Sequence, residues 1–297
     1  MSLPWLLRGW LARQASDKLR QAAQEAMTEA ARKAASQQQT QAAPPDERPV
    51  CHAAFLFALS QEAGGLEDRL SGAVSIRAHG FSATEGSLGG RRVVIARTGA
   101  DPKAAARIAA AIIEGHQPWW MIAAGFAGGL SSQIARGEIV LADEVVTPAG
   151  NRLAFDQPAG LRQVSWPDRF HVHFGRLVSV DHIVGKPAEK KQLGGALSAV
   201  AVDMESAAVA EVCRREKVPC VSVRIITDGV DDELPAEIDH LAKQKTLAGK
   251  LGAVTGAVFR RPSSAKDMLR LKETALVSSD RLAEFLELLM PVLAPPK

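Results

Sequence analysis

Three short stretches of this 297-residue chain combine acids, bases and glycine. Each follows or ends an apolar run, where an α/β sheet presents its ligands at strand ends. The first, Val223-Arg224-Ile225-Ile226-Thr227-Asp228-Gly229, ends in Asp-Gly. An aspartate at a buried strand tip can act as a general acid when desolvation favours its neutral form. The same dipeptide also suits a plain turn. Arg224, inside an apolar strand, needs anionic or carbonyl partners and so predicts a carboxylate or polar pocket beside it. The second stretch is Val202-Asp203-Met204-Glu205-Ser206, at a helix start that favours a carboxylate through its free N–H groups and dipole. Glu205 is either a ligand-binding acid or simply a helix-start acid, and Met204 taken alone is a core residue. The third, Ala123-Ala124-Gly125-Phe126-Ala127-Gly128-Gly129-Leu130, follows an apolar strand. It is expected to be a glycine-rich turn that either presents backbone N–H groups to a ligand or merely reverses the chain.

The elements that must position these residues are short apolar runs alternating with helical segments. Ala53–Leu59, Val93–Ala96, Trp120–Ala124, Ile139–Leu141 and Val221–Ile226 are predicted strands, apolar enough to be buried on both faces. Asp101-Pro102 predicts a helix start, with the helix running through Ala104–Glu114 to Gly115. Another helix is predicted from Met204 to about Lys217, burying Ala208, Val209, Val212 and Cys213. Near the end, a helical segment carries Met268, Leu269, Leu271 and Leu276, and Ser279-Asp280 predicts the cap of a separate last helix, Leu282–Met290. The expected fold class is α/β: a single three-layer domain with a central mixed sheet flanked by helices. Its organisation is read as a helical N-terminal extension (1–36), a Pro-containing linker (37–49), the α/β domain (50–259) and a C-terminal helical extension (260–297).

Composition narrows the class. The chain is 46% hydrophobic and 23% charged, with 36 basic against 33 acidic residues and a net charge of +3, which argues against a nucleic-acid partner. The three cysteines, Cys51, Cys213 and Cys220, form no CxxC pair and suit structural thiols in a reducing compartment. No signal peptide or spanning segment is expected, and a cytoplasmic location is the default. Trp5, Leu6, Trp10 and Leu11 share a helical surface that would dock on the domain, on another subunit or peripherally on a membrane. His171-Val172-His173 has no third ligand at suggestive spacing, so no metal site is expected. Cys51-His52 is read as packing, and Lys190-Lys191 and Arg214-Arg215 as solvated faces.

Taken together, GFAGGL…RGEIVLADEVV, VDMESAAVAEVC and VPCVSVRIITDGVDD resemble the purine nucleoside phosphorylase/nucleosidase superfamily, especially its methylthioadenosine/S-adenosylhomocysteine nucleosidases. The resemblance spans Val50 to about Val258 and covers Gly150–Val178 only loosely. It implies cleavage of a purine nucleoside's N-glycosidic bond with release of free base, no cofactor, and a homo-oligomer such as a dimer. It also implies roles: Asp228 protonates the purine, Glu205 holds the ribose hydroxyls, and Met204 lies under the sugar. Glu62 activates water, Arg224 places the nucleophile, Gly125 and Phe126 line the nucleophile side, and Ile183 and Val184 pack the base. Two departures bear on the nucleophile. Phe126 stands where family members usually carry Ser or Thr, and Ala123 where phosphorylases carry Arg. Water is therefore expected in place of phosphate, with Arg91, Arg92 and Arg97 as alternative anion contacts. Two other readings remain open: a phosphorylase of 5′-substituted adenosines such as adenosylhopane, which the basic-proline run Arg260-Arg261-Pro262 also resembles, and a non-catalytic nucleoside-binding protein.

Overall fold

The computed structural model describes residues 51–78, 81–234 and 263–295. The predicted N-terminal helix, the linker and the Arg260-Arg261-Pro262 run lie outside the described residues. At the centre is β1 (Ala53–Phe57), whose five residues are all buried. It pairs in parallel with β4 (Arg91–Arg97) on one side and β5 (Trp120–Gly129) on the other. The antiparallel β2 (Ser71–Ala78) and β3 (Phe81–Leu88) extend the sheet beyond β4.

On the far side of β5 the sheet closes on itself. β10 (Cys220–Asp228) runs parallel to β5 and antiparallel to β6 (Ile139–Val146). β6 pairs with β8 (Val172–Ser179), β8 with β9 (Ala201–Asp203), and β9 returns to β5 through Gly128 and Gly129. β7 (Arg152–Ala154) adds to β6. The five strands β5, β10, β6, β8 and β9 thus form a closed ring from which the rest of the sheet extends. A β-carbon at Gly128 would stand 3.2 Å from both Val202 Cγ1 and Asp228 Oδ2, so a larger residue where the ring closes would press on the Asp228 carboxylate.

Alternation along β1 divides the core into the two faces of the sheet. Ala54 and Leu56 face a cluster filled by α2 (Pro102–His116) and by α4 (Ser206–Glu216). Ala53, Phe55 and Phe57 face a second cluster filled by α1 (Ser60–Glu67) and by α5 (Ser263–Leu289). A further helix, α3 (Pro187–Leu197), leans on a smaller cluster of Leu130, Val146, Val178, Val180, Val184, Ala199 and Val202. The expected mixed sheet between helical layers is what forms. α2 starts as predicted: the Asp101 side chain accepts from Lys103 N at 3.0 Å, and Gln117 ends the helix in the left-handed region.

Two sequence expectations are corrected. The Ala123–Leu130 run is mostly strand, because β5 continues through Gly125, Phe126, Ala127, Gly128 and Gly129, held by β10 and β9. Ser279-Asp280 does not cap a separate last helix either; α5 passes through it unbroken. Serine in a helix interior costs only about 0.5 kcal/mol, which tertiary contacts readily override. Here Ser279 Oγ accepts from Gly65 N at 3.0 Å and lies 3.3 Å from Glu62 O, where α1 and α5 touch backbone to backbone.

Candidate active site

The parallel strands β1, β5 and β10 end on one edge of the sheet, and β9 delivers the start of α4 to the same region. Glu62, in the first turn of α1, is buried. Its Oε2 accepts from Leu59 N at 2.7 Å, and its Oε1 accepts from Phe126 N at 2.8 Å. Arg224 rises from β10 and is only 2% exposed. Its Nη2 lies 2.7 Å from Asp203 Oδ2 and donates to Ser206 Oγ at 2.8 Å, which supplies the carboxylate that its burial predicts. Gly125 separates the two side chains. A β-carbon there would lie 2.7 Å from Arg224 Nη1 and 2.8 Å from Glu62 Oε1, so glycine admits both groups.

Glu205 is the N-cap residue of α4, yet its side chain makes no capping bond. Asp203 does that work through Oδ2, which accepts from Ser206 N at 3.0 Å, while Ser179 Oγ bonds to Asp203 and accepts from Ala207 N at 3.1 Å. The Glu205 carboxylate is thus buried at the helix start without bonding to the helix's N–H groups. Burial, together with the nearby Asp203 and Glu62, pushes its pKa up to about 8 against the pull of Arg224. Burial likewise raises Glu62 above the usual range, opposed by the Phe126 N–H and by Arg224. Three carboxylates thus crowd one guanidinium, whose buried Nε has no partner among the described residues.

Asp228 is buried at the tip of β10, opposite Gly128. Its Oδ1 accepts from Thr227 Oγ1 at 2.8 Å, and its Oδ2 accepts from Lys190 Nζ at 2.6 Å. This corrects the solvated-face reading of Lys190, whose side chain is 0% exposed while that of Lys191 is 60% exposed. The inward stripe Lys190, Leu193, Gly194, Leu197 on α3 has helical spacing, and that periodicity was the available signal.

Of the other candidates, Met204 lies half-buried between Asp203 and Glu205, Ile183 is half-buried, and Val184 packs into the smaller core cluster. The side chain of Phe126 packs towards the α1–α5 face, and Ala123 is buried on the opposite one. The three arginines considered as anion contacts are engaged elsewhere: Arg97 with Glu67, Arg92 with Glu85, and Arg91 with the Met290 carbonyl. His171 and His173 both bond to Glu138, and no group of residues suited to holding a metal occurs among the described residues. Asp203, Ser206, Ser179 and Lys190 were not foreseen. No described helix is long and apolar enough to cross a membrane.

The family model of the phosphorylase superfamily matches residues 52–260. The chain belongs to this superfamily. A curated relative in it, the 5′-methylthioadenosine/S-adenosylhomocysteine nucleosidase of Shewanella loihica, is 29% identical over 54% of this chain and 78% of its own length. Among solved structures, the corresponding nucleosidase from S. pneumoniae covers 82% of this chain and 100% of its own, at 17% identity and a TM-score of 0.63. A futalosine hydrolase mutant of Helicobacter pylori covers 80% and 97%, at 16% identity and a TM-score of 0.60. These likenesses establish the phosphorylase-superfamily fold. The matched residues take in Glu62, Asp203, Glu205, Arg224 and Asp228, so every acid and base of the site falls within the family's extent.

Proposed function

We propose that the protein hydrolyses the N-glycosidic bond of an adenosine-type purine nucleoside and releases the free base. The observation that carries the reading is the gathering of Glu62 and Arg224 against Gly125, with Glu205 in electrostatic reach of both and Asp228 at the tip of the neighbouring strand. Breaking the bond leaves the sugar cation-like and the purine electron-rich. Asp228 gives its proton to a purine ring nitrogen as the electrons of the C1′–N bond pass into the base. Water attacks the sugar carbon and loses a proton to Glu62, whose proton affinity is raised by burial. Arg224 fixes the carboxylates, Glu205 accepts from the ribose hydroxyls, and Met204 contacts the sugar.

Water is favoured over phosphate by charge. Arg224 is already paired with Asp203 at 2.7 Å, so its charge is neutralised before a phosphate dianion could use it. Phe126 contributes its backbone N–H to Glu62 and offers no side-chain donor to an anion. The nucleosidase named in the Shewanella relative fits this reading and favours methylthioadenosine-like substrates. Purified protein incubated with methylthioadenosine, S-adenosylhomocysteine, adenosine and inosine, with and without phosphate, should release adenine at a rate independent of phosphate. Strict phosphate dependence would overturn the hydrolytic reading in favour of a phosphorylase. Binding with no base release from any of the four would leave a nucleoside-binding protein.

A further inference from the structure

We propose that Lys190 is a positioning residue for the departing base: it holds Asp228 as the general acid and stabilises the carboxylate left once the proton has gone. The inference rests on the role given to Asp228 above. Lys190 Nζ lies 2.6 Å from Asp228 Oδ2 and 2.9 Å from each of the carbonyls of Gly229 and Asp232. An ammonium has three protons and here meets three acceptors, whereas a neutral amine would leave one unmatched. The charged neighbours have partners of their own: Lys191 pairs with Asp231, Glu189 with His182, and Asp232 with Arg136. Asp228 is thus the carboxylate that Lys190 serves. A buried ion pair generally stabilises a fold no better than apolar side chains of the same volume would, so this one is explained better by chemistry than by stability.

The step balances simply. In the bound complex the Asp228 O–H bond breaks and a purine N–H bond forms, while Lys190 keeps all its protons. The Asp228–Lys190 pair passes from net positive to neutral as the base takes up the bond electrons, and this change drives the transfer in a dry site. The proton returns to Asp228 from solvent after the base departs.

The test separates a role in protonating the base from a role in holding the fold. Methylthioadenosine needs its base protonated, whereas a nitrophenyl riboside releases a stable anion without help. Lys190→Met and Lys190→Gln should each slow adenine release at least about tenfold and leave nitrophenyl release within about threefold. Either substitution, added to Asp228→Asn, should cost less than a further factor of about two. If Lys190→Met does not fold, Lys190→Gln, which keeps donors for the two carbonyls, carries the test. Equal loss on both substrates, or unchanged adenine release, overturns the proposal. If Asp228→Asn abolishes adenine release while Lys190→Gln does not, Lys190 alone is refuted. If Asp228→Asn retains adenine release, the acid assignment falls and this inference with it.

Discussion

The site holds two buried acid centres built on opposite principles. Around Arg224, three carboxyl groups share one guanidinium, so ionising all three is disfavoured and Glu205 is driven to a pKa of about 8. At the tip of β10, a single carboxylate has an ammonium of its own, fixed by two backbone carbonyls. Reaction chemistry gives each arrangement a use. Crowded carboxyl groups take up a proton and bond to hydroxyls, while an ammonium in contact with a carboxylate stabilises the anion left once a proton has been given to the base.

The comparison can be broken at either centre. The largest effect is expected at the β10 tip, where Asp228→Asn should reduce base release by about 10²–10⁴-fold with little change in thermal stability. Near wild-type turnover by a folded variant would remove Asp228 from the mechanism. Gly125→Ala comes next. Its new β-carbon would lie 2.7 Å from Arg224 Nη1 and 2.8 Å from Glu62 Oε1, displacing both. Turnover should drop by about 10²-fold, because misplacement of about an ångström costs that much. Nitrophenyl and purine substrates should suffer alike, unlike the split expected at Lys190.

Assayed above pH 8, where Glu205 is ionised, Glu205→Gln should weaken ribose recognition by about tenfold, since an amide oxygen accepts hydroxyl bonds less strongly than a carboxylate. A 2′-deoxynucleoside should then lose clearly less than the ribonucleoside; equal losses would detach Glu205 from the sugar. The smallest effect concerns stability. Folding raises the pKa of Glu205 from 4.5 to about 8, so between those values the folded state holds a proton that the unfolded state has released. Stability contributed by this group is therefore full below about pH 4.5 and lost as pH rises towards 8. Glu205→Gln should flatten that decline and raise Tm at pH 8 by at least about 2 °C. A parallel pH dependence in both proteins would contradict the crowding.

The strands and the helix from Pro102 were legible in the sequence because buried parallel strands are almost wholly apolar and Asp-Pro marks a helix start. The closed ring was not, because it depends on β5 changing partners at Gly128, and glycines there look like a turn. Arg224 announced a carboxylate because a guanidinium in an apolar strand cannot stand unpaired, yet which one it would find was hidden. Asp203 belongs to a three-residue strand, and only its contacts set it apart from Glu205 two residues on. Lys190 was masked by its neighbour: a Lys-Lys pair reads as surface, and one residue of it points inward.

The central claim, hydrolysis of a purine nucleoside at this site, is tested most directly by turning over methylthioadenosine in ¹⁸O-labelled water containing phosphate and weighing both products. The account predicts free adenine and a 5-methylthioribose carrying one labelled oxygen at its reacting carbon. An unlabelled sugar 1-phosphate, or no adenine at all, would contradict it.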